Sequence, residues 1–249
     1  MNVLVLGSGG REHAICLNIT KSSKLKYLWC IPGNAGTKKI SKFCDLKLKN
    51  HKEVINFCKK RKIGIVIPGS EEYFEAGLSD SLRLEGIKVF GPSRKASQLE
   101  SSKIFTKKIC NIAGIKTAKW KMFENVKILR NSLKSLKFPL VIKLDSLASG
   151  KGVLVAKSVA EAKKFLKHVE LGYIGNKNTK IIVEEKLVGE EASFFFVTDG
   201  KNVSFLGSAR DYKRVGENNT GLNTGGMGCI SPSPFENSKN INKVLKEFI

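Results

Sequence analysis

Short apolar runs that end on glycine and alternate with helix-like segments set the strongest limit on what this chain folds into. Residues 3–6, 27–31, 63–67 and 88–90 read as strands, with helical periodicity from Glu12, over 52–60 and from Glu75. Alternation at this spacing predicts βαβ units and a parallel sheet, because parallel neighbours require a long crossover between them. Ligands on such sheets bind beyond the carboxyl ends of the strands. Those ends read "GSGGREH" (7–13), "PGNAG" (32–36) and "PGSEE" (68–72), rich in glycine and in groups able to contact a ligand. The first turn matches only two of the three glycines of a dinucleotide fingerprint, because position 12 is Glu12. No acidic residue follows about twenty positions on to hold a ribose hydroxyl, which disfavours NAD. A strand-to-helix turn with free amides plus Arg11 still suits a phosphate on another ligand.

From Gly91-Pro92 the character changes, and a helix over 102–113 carries Ile104, Phe105, Lys108, Ile109 and Ile112 at helical spacing. The domain boundary is expected there, giving domains 1–101 and 102–249. Next comes "IKLDSLASGKGVLVAKS" (142–158), whose Gly-Lys-Gly resembles a phosphate loop. A P-loop needs glycine six residues before its lysine and a hydroxyl after it. Counting from Lys151, those positions hold Asp145 and Gly152, so the P-loop reading fails. Two β-rich runs, 138–144 and 153–156, flank the small-residue loop and predict a hairpin. With Lys143 before its tip and Lys151 on it, the hairpin is either a lid over phosphates or an ordinary surface turn.

The pattern Ser158-Val159-Ala160-Glu161 announces a helix start. A strand over 181–183 follows, then a hairpin turning at Asp199-Gly200. Glu184, Glu185, Glu190 and Glu191 cluster around a strand end and suit either a solvated acidic turn or a nucleotide hinge. The stretch 210–234 has five glycines, two prolines and almost no apolar periodicity. It is expected to be an ordered functional loop, with Asp211, Lys213, Arg214, Asn223 and Thr224 beside Gly225-Gly226.

Lysine and arginine outnumber aspartate and glutamate 44 to 22, for a net charge of +22 that favours anionic partners. Only seven of the basic residues are arginine, and the lysines are scattered along the chain without interleaved aromatics. A nucleic-acid interface is therefore disfavoured. Six cysteines without a C-x-x-C pair and three histidines make a structural zinc site improbable. No run reaches transmembrane length and no signal-peptide pattern opens the chain, so a cytoplasmic protein with reduced thiols and no membrane partner is expected.

The motifs "GSGGREHA", "PGNAGT", "FGPSRKASQLESSKIFTK", "IKLDSLASGKGV", "VEEKLVGEEASF" and "DYKRVGENNTGLNTGGMG", in this order, closely resemble the phosphoribosylamine–glycine ligases, or glycinamide ribonucleotide synthetases. These are ATP-grasp enzymes of purine biosynthesis, and the similarity runs from Met1 to about Pro234. The resemblance implies an α/β architecture: a Rossmann-like parallel-sheet domain, then an incomplete α+β ATP-grasp domain with a lid subdomain over about 120–188. It implies ATP, with Mg2+ or Mn2+, as cofactor, and small-molecule substrates (5-phosphoribosylamine, glycine and ATP) as partners; a monomer is expected.

By this resemblance Lys103 and Lys143 contact ATP phosphates, Ser149, Gly150, Lys151 and Gly152 form the closing loop, and Glu184, Glu185, Leu187 and Glu191 hold adenosine. Gly9, Gly10, Arg11, Asn34 and Glu71 face phosphoribosylamine, with Asp211, Lys213, Asn223, Gly225, Gly226 and Met227. Lys143, Asp211, Lys213 and Asn223 are the implied catalytic set. ATP would phosphorylate the carboxylate of glycine, and the amine of phosphoribosylamine would attack the glycyl phosphate.

Three departures stand out. "GSEEYFEAG" keeps Glu71 but lacks both prolines of the family's turn, Tyr212 replaces a histidine, and Leu222 replaces a proline. The family's magnesium ligands, its glycine-binding arginine and its C-terminal domain are expected beyond Ile249, so residues 1–249 alone are expected to make no glycinamide ribonucleotide. Another ATP-grasp ligase acting on a different acid is the alternative, with a basic nucleic-acid-binding protein behind it.

Overall fold

The computed structural model describes residues 1–146, 152–175 and 178–248, and the chain divides into two compact units, Met1–Ser101 and Ser102–Ile249. In the first unit β1 (Asn2–Gly7), α1 (Gly10–Ile19), β2 (Tyr27–Pro32), α2 (His51–Lys60) and β3 (Ile63–Pro68) alternate as the pattern predicts. The three strands form a parallel sheet in the order β2-β1-β3, with Val5 opposite both Cys30 and Ile67. The central strand is covered on both faces, which is why β1 is apolar without a break. Leu4 and Leu6 pack with Trp29, Ile31, Val54 and Leu82, whereas Val3 and Val5 pack with Cys16, Leu28 and Cys30.

Residues 88–90 meet β3 only through a single parallel bridge between Val66 and Val89. The helix expected from Glu75 is instead two, α3 (Glu71–Glu75) and α4 (Leu78–Leu84), divided at Gly77. That glycine has φ +82°, a left-handed conformation that stops one helix before the next begins. A further helix, α5 (Arg94–Ser101), has no clear signature in the sequence: its mostly polar residues offer little apolar periodicity.

The second unit begins with α6 (Lys103–Ala113), capped by Ser102, whose hydroxyl accepts from Phe105 N. It continues through β4 (Trp120–Phe123), α7 (Val126–Ser132), β5 (Leu140–Leu144), β6 (Val153–Ala156), α8 (Val159–Glu170) and β7 (Ile181–Glu185). Ser158 caps α8 by accepting from Glu161 N, while the Glu161 carboxylate accepts from Lys157 N, one residue earlier than a capping box requires. The four strands form an antiparallel sheet in the order β4-β7-β5-β6. Leu140, Ile142, Leu144, Ile181 and Val183 turn one face of it onto Leu129 of α7 and Phe165, Leu166 and Val169 of α8.

A second sheet, ordered β10-β9-β8, is built from β8 (Ser193–Thr198), β9 (Val203–Gly216) and β10 (Thr220–Ile230), followed by α9 (Ser238–Phe248). The region 210–234 is therefore a strand pair for most of its length and not a long loop. Its glycines remove the side-chain alternation that marks a strand, and β10 is held by backbone pairing to β9 that slips register on either side of Asn223. Among the described residues the six cysteines are free thiols and no helix is long and apolar enough to cross a membrane.

Candidate functional site

In the first unit, the turns after β1, β2 and β3 are tied together by Glu12, Asn34 and Arg11. Glu12, in the first turn of α1 and only 4% exposed, accepts Gly9 N–H at 2.6 Å and Arg11 Nε at 3.2 Å. Its carboxylate fits because its neighbours lack side chains: a Cβ on Gly7 or Gly9 would lie within 3.0 Å of it, and one on Gly69 only 2.0 Å from Oε1. Asn34 clamps the first turn from the second. Its Nδ2 donates to Ser8 O and Gly9 O, at 2.9 and 3.2 Å, and its Oδ1 accepts from Gly36 N and Thr37 N.

Arg11 thus has one edge on Glu12, while its Nη1 donates to Glu71 Oε1 at 3.0 Å from the third turn. Burial would lower the Arg11 pKa, but the hydrogen bonds to Glu71 and Glu12 outweigh it and hold the guanidinium protonated. The Glu71 carboxyl is held below its usual range by its own backbone amide first, with Arg11 adding to the effect. The structure therefore gathers Gly9, Arg11, Asn34 and Glu71, with Gly10 opening α1 beside them. In the sequence Glu12 marks only a break in a fingerprint. A carboxylate in the middle of a glycine-rich turn is the signal for its role.

In the second unit, the sheet face opposite the helices carries charge. Strand pairing sets Val141 against Glu184 and Lys143 against Ile182, so Lys143 and Glu184 are diagonal neighbours on that face. Lys143 Nζ lies 2.8 Å from Glu184 Oε2, and Lys107 Nζ, from α6, lies 3.3 Å from Oε1. Lys107 also donates to Thr117 Oγ1 and Ala118 O. Sequence reasoning misses it because it stands three residues after Ile104 on the buried stripe of α6, where only a tertiary partner explains a lysine. The start of α6 is fixed to the end of β5: Asp145 accepts from Ser102 Oγ and Ile104 N, and Lys103 Nζ donates to Ser146 O at 3.0 Å.

Glu185 N donates to Lys119 O while Glu185 Oε1 accepts from Lys119 N, so the end of β7 is locked to the segment before β4. Leu187 follows, 67% exposed. On the second sheet, Lys213 pairs with Glu191 and lies 3.9 Å from Asp211 Oδ2, and Arg210 pairs with Glu190. Gly226 stands against Asp211, where a Cβ would come within 3.1 Å of Oδ1, and its N–H donates to Thr224 Oγ1. Met227 is exposed, Gly225 precedes Gly226 in β10, and the backbone of Asn223 pairs with Arg214. Gly152 immediately precedes β6, its carbonyl accepting Leu144 N; Ser149, Gly150 and Lys151 lie outside the described residues.

Among the described residues no three of His, Cys, Asp or Glu converge, and Glu184 is already shared between two ammonium groups.

Two family models cover the chain end to end. Residues 1–100 match the N domain of phosphoribosylglycinamide synthetase, and residues 101–249 match its ATP-grasp (A) domain. The chain belongs to the phosphoribosylglycinamide synthetase family. Among its relatives, phosphoribosylamine–glycine ligase of Rhizobium meliloti (strain 1021) is 44% identical over 249 residues, and that of Haemophilus influenzae is 40% identical over 252. Each alignment takes in all of this chain and 59% of the relative, so the chain spans about three fifths of their length. The crystal structure of the Thermotoga maritima phosphoribosylamine–glycine ligase superposes with TM-score 0.80 at 32% identity, covering 100% of this chain and 59% of that one. N5-carboxyaminoimidazole synthetase from Staphylococcus aureus, complexed with ADP, shares the fold at TM-score 0.67 and 14% identity, over 100% and 62% of the two chains. The α/β architecture expected from the sequence, a parallel-sheet domain followed by an ATP-grasp domain, is the architecture of this synthetase family member.

Proposed function

We propose that this chain carries the phosphoribosylamine-facing and ATP-binding parts of a ligase that joins glycine to 5-phosphoribosylamine, with glycinamide ribonucleotide, ADP and phosphate as products. The observation that carries this reading is the succession of the two family matches, N domain then ATP-grasp domain, across residues 1–249. In the first step a glycine carboxylate oxygen attacks the γ-phosphorus of ATP, the bond to ADP breaks, and glycyl phosphate forms. In the second, the amine of phosphoribosylamine attacks the acyl carbon, phosphate leaves, and the nitrogen loses a proton. Both steps demand positioning and charge stabilisation more than a nucleophilic side chain.

Lys103 and Lys143 serve the ATP phosphates, and Ser149, Gly150, Lys151 and Gly152 close over them. Exclusion of water by that loop protects an acyl phosphate that hydrolyses readily. Glu184, Glu185 and Leu187, at the end of β7, hold adenosine together with Glu191. Arg11 and Glu71 face phosphoribosylamine, supported by Gly9, Gly10 and Asn34. Asp211, Lys213 and Asn223, with Gly225, Gly226 and Met227, also serve this acceptor. The partners are small molecules, and the setting is the cytoplasm.

The test is ADP release from protein extended to the length of the relatives, with glycine alone, phosphoribosylamine alone, and both. Release that requires both supports the reading. Release with a different amino acid in place of glycine, or independent of phosphoribosylamine, refutes it.

A further inference from the structure

Lys107 is 8% exposed, an unusual burial for a lysine, and nothing in the proposed reaction uses it. Its ammonium has three partners from two directions: Thr117 Oγ1 at 2.6 Å and Ala118 O at 3.2 Å, from the segment leading into β4, and Glu184 Oε1 at 3.3 Å, from β7. Glu184 is itself buried, its side chain 6% exposed, and its second oxygen holds Lys143 at 2.8 Å. Lys143 is the outermost of the three, with 29% of its side chain exposed. The arrangement is a line, Lys107 to Glu184 to Lys143, running from the interior to the open face of the sheet.

The charges in this line decide what Lys143 is able to do. With two lysines against one glutamate, the triad has one uncompensated positive charge. Were Glu184 paired with Lys143 alone, the two would neutralise each other, and drawing Lys143 away would leave a bare buried carboxylate. That is among the costliest states inside a protein. Lys107 removes the obstacle, since Glu184 keeps an ion-pair partner wherever Lys143 goes. We infer that Lys107 is a positioning residue of the nucleotide site, compensating Glu184 from the interior so that Lys143 is released to the phosphates of an entering nucleoside triphosphate. The inference rests on the ATP-binding reading above. Lys107 does not touch the nucleotide; it acts through Glu184.

A purely architectural role for Lys107, tying α6 to residues 117–118, makes a different prediction, and a double-mutant cycle separates the two. Calorimetric titration of ATP into the 249-residue chain compares wild type, Lys107→Met, Glu184→Gln, and the two changes combined, with thermal melts as the folding control. Losing the inner cation should weaken ATP by about tenfold or more, the scale seen when one member of a buried charge pair is removed. In the Glu184→Gln background, where the uncharged amide no longer traps Lys143, the same Lys107→Met change should alter ATP affinity by less than about threefold, whatever Glu184→Gln itself costs at adenosine. An architectural lysine would show no such rescue, because the Glu184→Gln change does nothing for Thr117 or Ala118. Should the Lys107→Met variant not fold, the comparison of Glu184→Gln with the double variant carries the test.

Wild-type affinity in folded Lys107→Met, or a loss of about tenfold or more from Lys107→Met in the folded Glu184→Gln background, would overturn the inference and leave the ATP-binding reading standing. Absence of ATP binding in the wild-type chain would overturn both.

Discussion

Replacing Gly69 by alanine tests the arrangement of the first unit at its tightest point. The new Cβ would lie 2.0 Å from Glu12 Oε1 and 2.5 Å from both Cδ and Cγ, so the clash involves the stem of the side chain as well as its tip. Glu12 has little freedom to yield, being 4% exposed and bonded to Gly9 N and Arg11 Nε. Expelling it forfeits a hydrogen bond to a charged acceptor, about 1.5–3 kcal/mol, and adds overpacking strain of about 1–3 kcal/mol. We expect a loss of about 3 kcal/mol, which for a unit of this size lowers Tm by roughly 12 °C or more. The chain has two tryptophans, Trp29 in the first unit and Trp120 in the second, so fluorescence melts in a Trp120→Phe background report on Trp29 alone. In a Glu12→Ala background the obstruction is gone, and the same Gly69→Ala change should cost less than about 1 kcal/mol. A Tm shift of only a degree or two, or an equal loss in both backgrounds, would refute the packing argument.

Lys143→Ala should weaken ATP binding by about tenfold or more in a calorimetric titration while Tm changes little, because Glu184 retains Lys107 as its partner; unchanged affinity would remove Lys143 from the site. Ser208→Ala should destabilise the second unit by about 1–3 kcal/mol in urea melts, since the buried hydroxyl accepts Ser233 N–H and donates to Glu236 Oε2, leaving a buried amide unpaired once it is gone. Asp199 accepts from Lys201 N, Asn202 N and Asn202 Nδ2, and these bonds, the Asn202 amide first, hold its carboxyl down at about 2. A carboxyl lowered on folding supports the β8–β9 turn above its unfolded value near about 3.9 and loses that support as pH falls through about 2. Carbon-detected NMR titration of Asp199 should therefore show its midpoint near the lower value, and an ordinary midpoint would discount the turn bonds.

The elements that local rules govern are legible in the sequence. The alternation that predicts a parallel sheet appears as β1, β2 and β3 with α1 and α2 between them, and Ser158 begins α8 as its spacing implies. Such signals act over about four residues, through side-chain periodicity and through caps that satisfy free amides at a helix start. They fail where the stabilising partner is remote. In the stretch 210–234, glycines erase the alternation, and pairing between β9 and β10 supplies what the sequence does not advertise. The break at Gly77 is not legible because a glycine is compatible with many backbone conformations, and only the surrounding packing selects the left-handed one.

By itself, then, the sequence determined the alternation of strands and helices that opens the chain, the glycine turns at the strand ends, and which lysines and glutamates lie near them along the chain. Tertiary structure alone decided what those charges do. Glu12 stands one residue from Arg11 in sequence, but its burial follows from Gly69, which arrives from the end of β3 with no side chain to displace it. Lys107 and Glu184 are 77 residues apart, and the antiparallel register that turns Glu184 and Lys143 to one face also brings that carboxylate to the buried stripe of α6. The physical reason is range: backbone preferences and caps are short-range and written locally, whereas burial and the pairing of charges depend on which distant segments share a face. A carboxylate between two lysines takes its character from that sharing, and the local sequence around each member does not contain it.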